Sequence, residues 1–245
     1  MTVSVRTIYE KKKRVRLKLK LTMLAAGLLA VLGAFSYLNW EKNLFEFKEV
    51  VLSGAGSLSR EELLGGLPGQ GTGPVSFFSP VRVSHPAIAG AAIHRDYFNR
   101  ILRIDITERE RYGVWCADAC FWFDREGMLF SPAPRAEGAL VRRVRDTTGR
   151  SLALGGQALP GDQLRSLVIA FDMLERARLT VEEVVLEDLS RAEATAQLLL
   201  GPRVLFSLRN DPAFAYEPLL NLAGELEKLA YIDLRTDQRI FLKYR

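Results

Sequence analysis

Four residues belong to the types that most often serve as metal ligands or nucleophilic partners: His85, His94, Cys116 and Cys120. The histidines fall in a proline-flanked loop and in an expected strand, and no spacing among the four suits a tetrahedral metal site. The sequence also lacks the G-x-S-x-G, H-E-x-x-H and phosphate-binding glycine motifs. We therefore expect no catalytic residue, no metal, no cofactor and no small-molecule substrate.

The two cysteines bracket a three-residue loop. Val114–Cys116 and Cys120–Asp124 read as the two strands of a hairpin around that loop. In an oxidising, exported compartment the pair can form a structural disulfide, which is the interpretation we favour. Two other states stay open from the sequence: a pair of free buried thiols, and a redox-active pair.

An uncharged stretch from Leu21 to Leu38 precedes all of these residues. A helix of this length measures roughly 27 Å, close to the thickness of a bilayer's hydrocarbon core. Tyr37 and Trp40 stand at its far end, where amphipathic rings favour the membrane interface. The pattern predicts a transmembrane helix over residues 21–40, with a cleaved signal peptide and a buried soluble helix as alternatives.

The first 20 residues form a basic tail with eight Lys or Arg residues and one acid, a net charge of +7. Such a tail resists translocation, so it predicts a cytoplasmic N-terminus and an exported C-terminal part. The whole chain carries +5, so the residues after the tail carry −2. The exported part is therefore not expected to bind nucleic acid, although the tail by itself is an alternative site for it.

Residues 45–112 are predicted to form a first exported unit of order β-α-α-β-β. Its expected elements are a strand over Phe45–Leu52, a helix that starts at Ser59, a helix or turn over 75–83, and strands from Ile88 and over Ile101–Thr107. Ser59 and Glu62 match the capping-box pattern of a helix start. A glycine- and proline-rich loop is expected over 68–74.

Residues 113–245 are predicted to form a β-rich domain with flanking helices. After the cysteine hairpin we expect strands at Met128–Phe130, Val181–Leu186, Thr195–Leu200, Val204–Leu208, Tyr231–Leu234 and Arg239–Tyr244, and helices after Pro160 and over Pro218–Leu229. The fold class expected for the whole chain is thus α+β with a single N-terminal transmembrane helix.

Three stretches carry a resemblance to a known family. They are Phe47-Lys48-Glu49-Val50-Val51-Leu52-Ser53-Gly54, then Ile104-Asp105-Ile106-Thr107-Glu108-Arg109 with Val114-Trp115 and Asp124-x-x-Gly127-x-x-Phe130, and finally Tyr231-Ile232-Asp233-Leu234-Arg235. In this order behind an N-terminal span, they resemble the bacterial cell-division proteins of the FtsQ/DivIB family. The chain departs from the family pattern at Glu110, where a proline is usual, and in its cysteine pair.

The resemblance implies a POTRA domain over 45–112, an FtsQ-type β domain over 113–245, and a non-catalytic scaffold in the inner membrane at the division septum. It implies docking of FtsB-like and FtsL-like proteins at the last strand, and of other division proteins on the POTRA unit. A terminal strand often lies at a sheet edge, which can accept another chain's strand. The expected partner-binding residues are Arg235, Thr236, Asp237, Gln238, Arg239, Ile240, Phe241 and Leu242.

Glu108 and Arg109 are expected to act between the two units, by an ion pair that sets their angle or by direct partner contact. For Asp233 and Arg235 the alternative is a local role in which neighbouring turns satisfy both charges. Two other functions stay open for the chain: a POTRA-containing transport or secretion component, and a membrane-tethered enzyme. A transport component would normally continue into a membrane barrel, and no series of alternating ten-residue segments follows here.

Overall fold

The computed structural model describes residues 5–42, 45–56, 58–59, 62–63, 75–135, 138–222 and 224–245, with the side chains of the N-terminal helix described over 18–38. Ser59 and Glu62 form the expected capping box: the Ser59 amide donates to Glu62 Oε2 at 2.9 Å, and the Glu62 amide donates to Ser59 Oγ at 3.2 Å. Leu63 is helical and buried, and its amide donates to the Ser59 carbonyl at 3.2 Å, whereas the predicted helix after Leu63 and the loop over 68–74 lie outside the described residues.

Helix α1 runs over Val5–Lys42. Its segment Lys18–Leu38 is long and apolar enough to cross a membrane, and none of that segment is buried inside the protein. Twenty-one residues of helix measure about 32 Å, which matches a hydrocarbon core of about 30 Å. The expected apolar helix is thus present, three residues earlier in the sequence than the predicted start.

Five strands follow α1: β1 (Glu46–Phe47), β2 (Glu49–Ser53), β3 (Val75–Ser76), β4 (Ile88–Asp96) and β5 (Ile101–Glu108). β1 pairs antiparallel with β3, and a three-stranded sheet has the order β2-β5-β4. The sequence predicts a helix or turn over 75–83; the helix is wrong, and the segment forms β3 followed by a turn. Pro80 within the segment and Pro86 just after it leave too short a run for a helix, and pairing with β1 satisfies the backbone of β3 instead.

The remaining strands form a nine-stranded sheet: β6 (Gly113–Cys116), β7 (Cys120–Phe123), β8 (Leu129–Pro132), β9 (Arg143–Asp146), β10 (Val181–Leu186), β11 (Glu193–Leu198), β12 (Arg203–Ser207), β13 (Leu229–Leu234) and β14 (Phe241–Tyr244). Within the described residues the order is β14-β13-β12-β11-β10-β9-β6-β7-β8. The pairs β6–β9, β9–β10 and β12–β13 are parallel, and the other pairs are antiparallel. This is the large β-rich part that the sequence predicts.

One face of this sheet is packed by α2 (Gly161–Arg176), α3 (Tyr216–Asn221) and short 3₁₀ turns. α2 buries Leu164, Leu167, Phe171 and Leu174, which share one side at helical spacing. In the strands, alternate residues such as Val204, Phe206 and Ile232 face the same core, whereas their neighbours face outward. The core cluster therefore lies on one side of the sheet, and the other side carries charged side chains together with apolar ones such as Val114, Val185 and Phe241.

Two predictions in this part need correction. The helix expected over Pro218–Leu229 ends at Asn221, and a 3₁₀ turn at Leu226–Lys228 leads into β13, whose first residue is Leu229. A glycine at 224 interrupts the leucine pattern, and burial of Leu229 in the sheet replaces burial on a helix. β9 was not expected at all.

The described residues group into two compact units that interleave in sequence: Met1–Val51, Leu67–Val81 and Ile93–Arg103 in the first, and Leu52–Gly66, Arg82–Ala92 and Ile104–Arg245 in the second. The boundary expected at residue 112 stays a prediction.

Candidate functional site

β14 lies at one edge of the nine-stranded sheet. Within the described part of the chain it is hydrogen-bonded along β13 only, in antiparallel register with Ile232 opposite Leu242 and Asp233 opposite Phe241. The Arg245 amide donates to the carbonyl of Lys228 at 3.0 Å, so the backbone of Arg245 faces β13. Because the backbone of an antiparallel strand alternates sides, the N–H and C=O groups of Leu242 and Tyr244 face away from β13.

The side chains of β14 divide between the two faces of the sheet. Ile240 and Leu242 pack against the core, on the helix side. Phe241 lies on the opposite face and exposes 51% of its surface, and Lys243 lies over the ring of Tyr231 at 5.6 Å. These side chains therefore alternate between the two faces of the sheet. Among the described residues nothing pairs with the outward backbone groups of this edge, and an exposed aromatic ring lies beside them.

Arg235 follows β13 and holds two carboxylates. Its Nε and Nη2 donate to Asp233 at 2.9 and 2.6 Å, and its Nη1 donates to Glu193 Oε2 at 2.9 Å. These hydrogen bonds raise the pKa of Arg235, and the guanidinium holds the pKa of Asp233 below its ordinary value. The local interpretation of this pair is thus supported in part, but Glu193 lies on β11 and is no neighbouring turn. Arg235 thus fixes the end of β13, where the turn that leads to β14 begins.

The connection from β13 to β14 is an exposed turn. Thr236, Asp237, Gln238 and Arg239 are all exposed, and the Arg239 amide donates to the Thr236 carbonyl at 3.2 Å. Gln238 has φ +56°, a left-handed conformation that closes the turn. Of the eight predicted partner-binding residues, 236–239 form an exposed turn and Phe241 and Leu242 lie in the edge strand, whereas Arg235 directly follows β13 and Ile240 directly precedes β14.

Glu108 and Arg109 lie at the end of β5 and hold different parts of the second compact unit. Glu108 Oε1 accepts from the amides of Gly56 at 2.8 Å and Leu58 at 3.2 Å. Arg109 Nε donates to the Pro86 carbonyl at 3.0 Å. The expected ion pair of Arg109 is present, but its partners lie on the β7–β8 hairpin.

On that hairpin Arg109 Nη1 is bonded to Asp124 and lies 3.2 Å from Glu126 Oε2. Burial lowers the pKa of Arg109, but the bonds to the two carboxylates outweigh it and leave that pKa raised. Asp124 Oδ1 also accepts from the amides of Glu126 and Met128, at 3.0 and 2.9 Å. The Asp-x-x-Gly motif is thus a structural turn, and the end of β5 is clamped to it.

Gly127 completes this turn. Its φ is +79°, and an added Cβ would lie 2.7 Å from Leu164 Cδ2 and 3.0 Å from Gln157 Nε2. Only a residue without a side chain takes this backbone conformation at low cost so close to α2. The glycine of the motif is therefore required by geometry.

Cys116 and Cys120 stand opposite each other at the end of the β6–β7 hairpin and form a disulfide, with their Cα atoms 4.1 Å apart. The bond closes a loop of only three intervening residues. The two cysteines are thus joined in this structure, and the structural role favoured for the disulfide stays a prediction.

Two clefts lie within the second compact unit. The larger, of 670 Å³, is lined by Tyr112, Trp122, Leu140, Phe171 and several arginines. Its inner wall is occupied by Arg142, which lies over the Tyr112 ring at 4.5 Å and pairs with Glu175. Tyr112 Oη donates to Asp172 at 3.1 Å, and burial raises the pKa of Tyr112. The charges of Arg142, Asp172 and Glu175 are therefore paired with one another.

The smaller cleft, of 460 Å³, is lined by the Arg109–Asp124 pair and its neighbours. Across the residues the structure describes, no group of three or more His, Cys, Asp or Glu side chains could hold a metal ion. Among the described residues, neither cleft therefore adds a metal-binding cluster to the candidate site at β14.

Sequence reasoning missed two features of the site. Glu193 is 42 residues from Arg235, and no local pattern connects them. The cluster of Tyr112, Arg142 and Asp172 is likewise assembled from three separate elements.

No protein-family model matches this chain, and no curated protein matches it either.

Proposed function

We propose that this chain is a non-catalytic, single-pass membrane protein whose β14 edge captures a strand of a partner protein. The observation that carries the proposal is the position of β14, which ends the sheet and turns the backbone groups of Leu242 and Tyr244 outward. Edge strands of this kind bind peptides by β-augmentation, in which main-chain hydrogen bonds give affinity and side-chain pockets give specificity. The exposed Phe241 beside the edge supplies such a side-chain contact.

The membrane anchor in this proposal is Lys18–Leu38, with the tail of net charge +7 on the cytoplasmic side and the residues after the helix exported. An exported location also agrees with the disulfide, because such bonds persist in oxidising compartments.

The partner class follows from the family resemblance. If the chain is a division protein of the FtsQ/DivIB type, with a POTRA unit ahead of the β domain, the captured strand belongs to an FtsB-like protein in complex with an FtsL-like one, at the septum. Arg235, held by Asp233 and Glu193, then positions the start of the docking edge and does not itself need to touch the partner.

Truncation after Leu234 tests the proposal by removing β14 from the full-length chain. The truncated protein is expected to lose co-purification with FtsB-like and FtsL-like proteins of the same organism. Truncation also uncovers the part of the core that Ile240 and Leu242 cover, so a second variant keeps the strand. Phe241→Lys should lose capture of the partner. The control Leu200→Lys, at a residue 85% exposed, should retain it. Capture that survives both truncation and Phe241→Lys would refute the proposal.

A further inference from the structure

The first compact unit carries aromatic rings that connect the apolar helix to its folded part. Phe35 lies in Lys18–Leu38, three residues before the end of that segment, and its ring centroid is 5.8 Å from that of Phe45. Phe45 in turn lies 5.8 Å from Phe78 and 6.3 Å from Phe77. These four rings form a continuous contact from the helix to the loop after β3.

This contact places Phe45 well before the end of α1, measured along the helix axis. α1 continues to Lys42, about 6 Å beyond Leu38 at 1.5 Å per residue. Phe45 nevertheless lies beside Phe35, which is about 4.5 Å before Leu38 along the helix. The ring of Phe45 is therefore at the depth of the last apolar turn.

Backbone pairing holds this arrangement in place. The Phe77 amide donates to the Phe45 carbonyl at 2.7 Å, next to the β1–β3 pair in which Phe47 stands opposite Val75. Phe47 is buried, and its ring lies 4.7 Å from Phe77. Phe77 also meets Tyr97 edge to face at 5.2 Å. The loop after β3 and the turn before β5 are thus fixed on one aromatic cluster.

The outer members of the cluster are uncovered. Phe78 exposes 80% of its surface, Tyr97 exposes 51%, and Phe98, next to Tyr97, exposes 99%. Large apolar side chains that are exposed together mark an interaction surface more often than a solvated one. Phe78 touches Phe45, which touches the apolar helix, so this surface is continuous with the segment that matches a bilayer.

We propose that Phe78, Tyr97 and Phe98 insert into the interfacial layer of the membrane on the exported side. This inference rests on the proposed insertion of Lys18–Leu38, because a spanning helix brings Phe45 and Phe78 to the depth of its last turn. Aromatic rings favour that layer, where one side is apolar and the other is wet. The occupant is the lipid itself, and the contact sets the first compact unit against the bilayer.

Photocrosslinking of the full-length chain in phosphatidylcholine/phosphatidylglycerol nanodiscs tests this inference. Benzoylphenylalanine replaces one residue at a time at positions 35, 78, 98 and 140, and lipid adducts are counted by mass spectrometry. Position 35 reports insertion of the helix. Leu140 is 98% exposed in the second compact unit, so it controls for exposure alone.

Adducts at 35, 78 and 98, with at least tenfold fewer at 140, are the expected result. Adducts at 35 without adducts at 78 and 98 would overturn the membrane contact and leave the span intact. Equal labelling at 78 and 140 would also overturn it, because exposure would then explain the adducts. An absence of adducts at 35 would overturn the span and, with it, the contact.

A paired change gives an independent readout. Phe78→Ser with Phe98→Ser removes the two most exposed rings without touching the buried Phe47–Phe77 contact. In the same nanodiscs, amide hydrogen exchange in the loop after β3 is expected to accelerate at least threefold in this variant. Unchanged exchange would contradict a membrane role for the rings.

Discussion

Two proline substitutions on adjacent residues of β14 separate partner capture from folding. The backbone of Lys243 faces β13, whereas that of Tyr244 faces outward. Lys243→Pro removes a ladder donor inside the protein, and we expect a loss of about 1–3 kcal/mol in the free energy of unfolding. Tyr244→Pro removes an outward donor, which a sheet edge tolerates, and should cost the fold little.

Partner binding is expected to respond to the other substitution, because Tyr244→Pro changes a backbone group that faces the partner. Leu242 and Tyr244 each present one N–H and one C=O group, so a partner strand gains up to four main-chain hydrogen bonds, each worth about 0.5–1.5 kcal/mol net. Loss of one such bond, together with the ring's clash with the incoming strand, should weaken binding about fivefold to tenfold. Tyr244→Ala is the matched control for the lost phenol, which lies 3.4 Å from Glu225.

The assay is a titration of each variant with a labelled FtsB-like partner, alongside a thermal melt. Tyr244→Pro should melt like Tyr244→Ala and bind at least fivefold more weakly. If Tyr244→Pro bound the partner as tightly as Tyr244→Ala, the outward backbone of β14 would not be the docking edge, and the reasoning would fail.

Three further predictions concern stability. Arg235→Met should lower the free energy of unfolding by about 1 kcal/mol at pH 7, after allowance for solvent screening of a side chain that is 38% exposed. The pKa of Asp233 is lowered in the fold, so the stabilisation by its carboxylate is present above the unfolded pKa near 3.9 and is lost as the pH falls through the folded pKa. In urea titrations, the difference in stability between Arg235→Met and the parent should therefore shrink below about pH 4. Gly127→Ala should cost about 1–2 kcal/mol, measured by chemical denaturation, because φ is +79° and the methyl would meet α2; no loss would contradict that geometry. Reduction of Cys116–Cys120 should lower the melting temperature by several degrees, since so short a loop accounts for about 2 kcal/mol, and a melting temperature unchanged by reductant would exclude the disulfide as a stabilising link.

Much of the fold could be predicted because its elements have regular patterns. The alternation in Ile101–Glu108 and the helical spacing in Gly161–Arg176 each occur within one element, so the sequence reveals them directly. The cysteine hairpin is likewise local. These predictions need no knowledge of what lies across the sheet.

Other elements depend on neighbours far away in the sequence. β9 reads Arg-Val-Arg-Asp, with a single apolar residue, and becomes a strand because it fills the space between β6 and β10 and buries Val144. The leucines of Pro218–Leu229 fit a helix, yet Leu229 reaches the core as the start of a strand. In both cases tertiary packing overrides the local pattern.

The candidate site shows the same division. The terminal position of β14 is suggested by its place at the end of the chain, and the structure puts it at the sheet edge. The partners of Arg235 and Arg109 could not be derived, because an ion pair depends on distances between strands and leaves no spacing in the sequence. Asp124 belongs to a motif that is local in sequence, and its carboxylate holds the turn between β7 and β8.

The most direct measurement of the central claim is amide hydrogen exchange in β14, followed residue by residue by NMR. In the free protein the outward amides of Leu242 and Tyr244 should exchange rapidly, while those of Phe241, Lys243 and Arg245 are protected by β13. Addition of the FtsB-like partner should slow exchange at Leu242 and Tyr244 by at least tenfold. If these two amides still exchanged rapidly in the bound complex, the result would contradict strand capture at this edge.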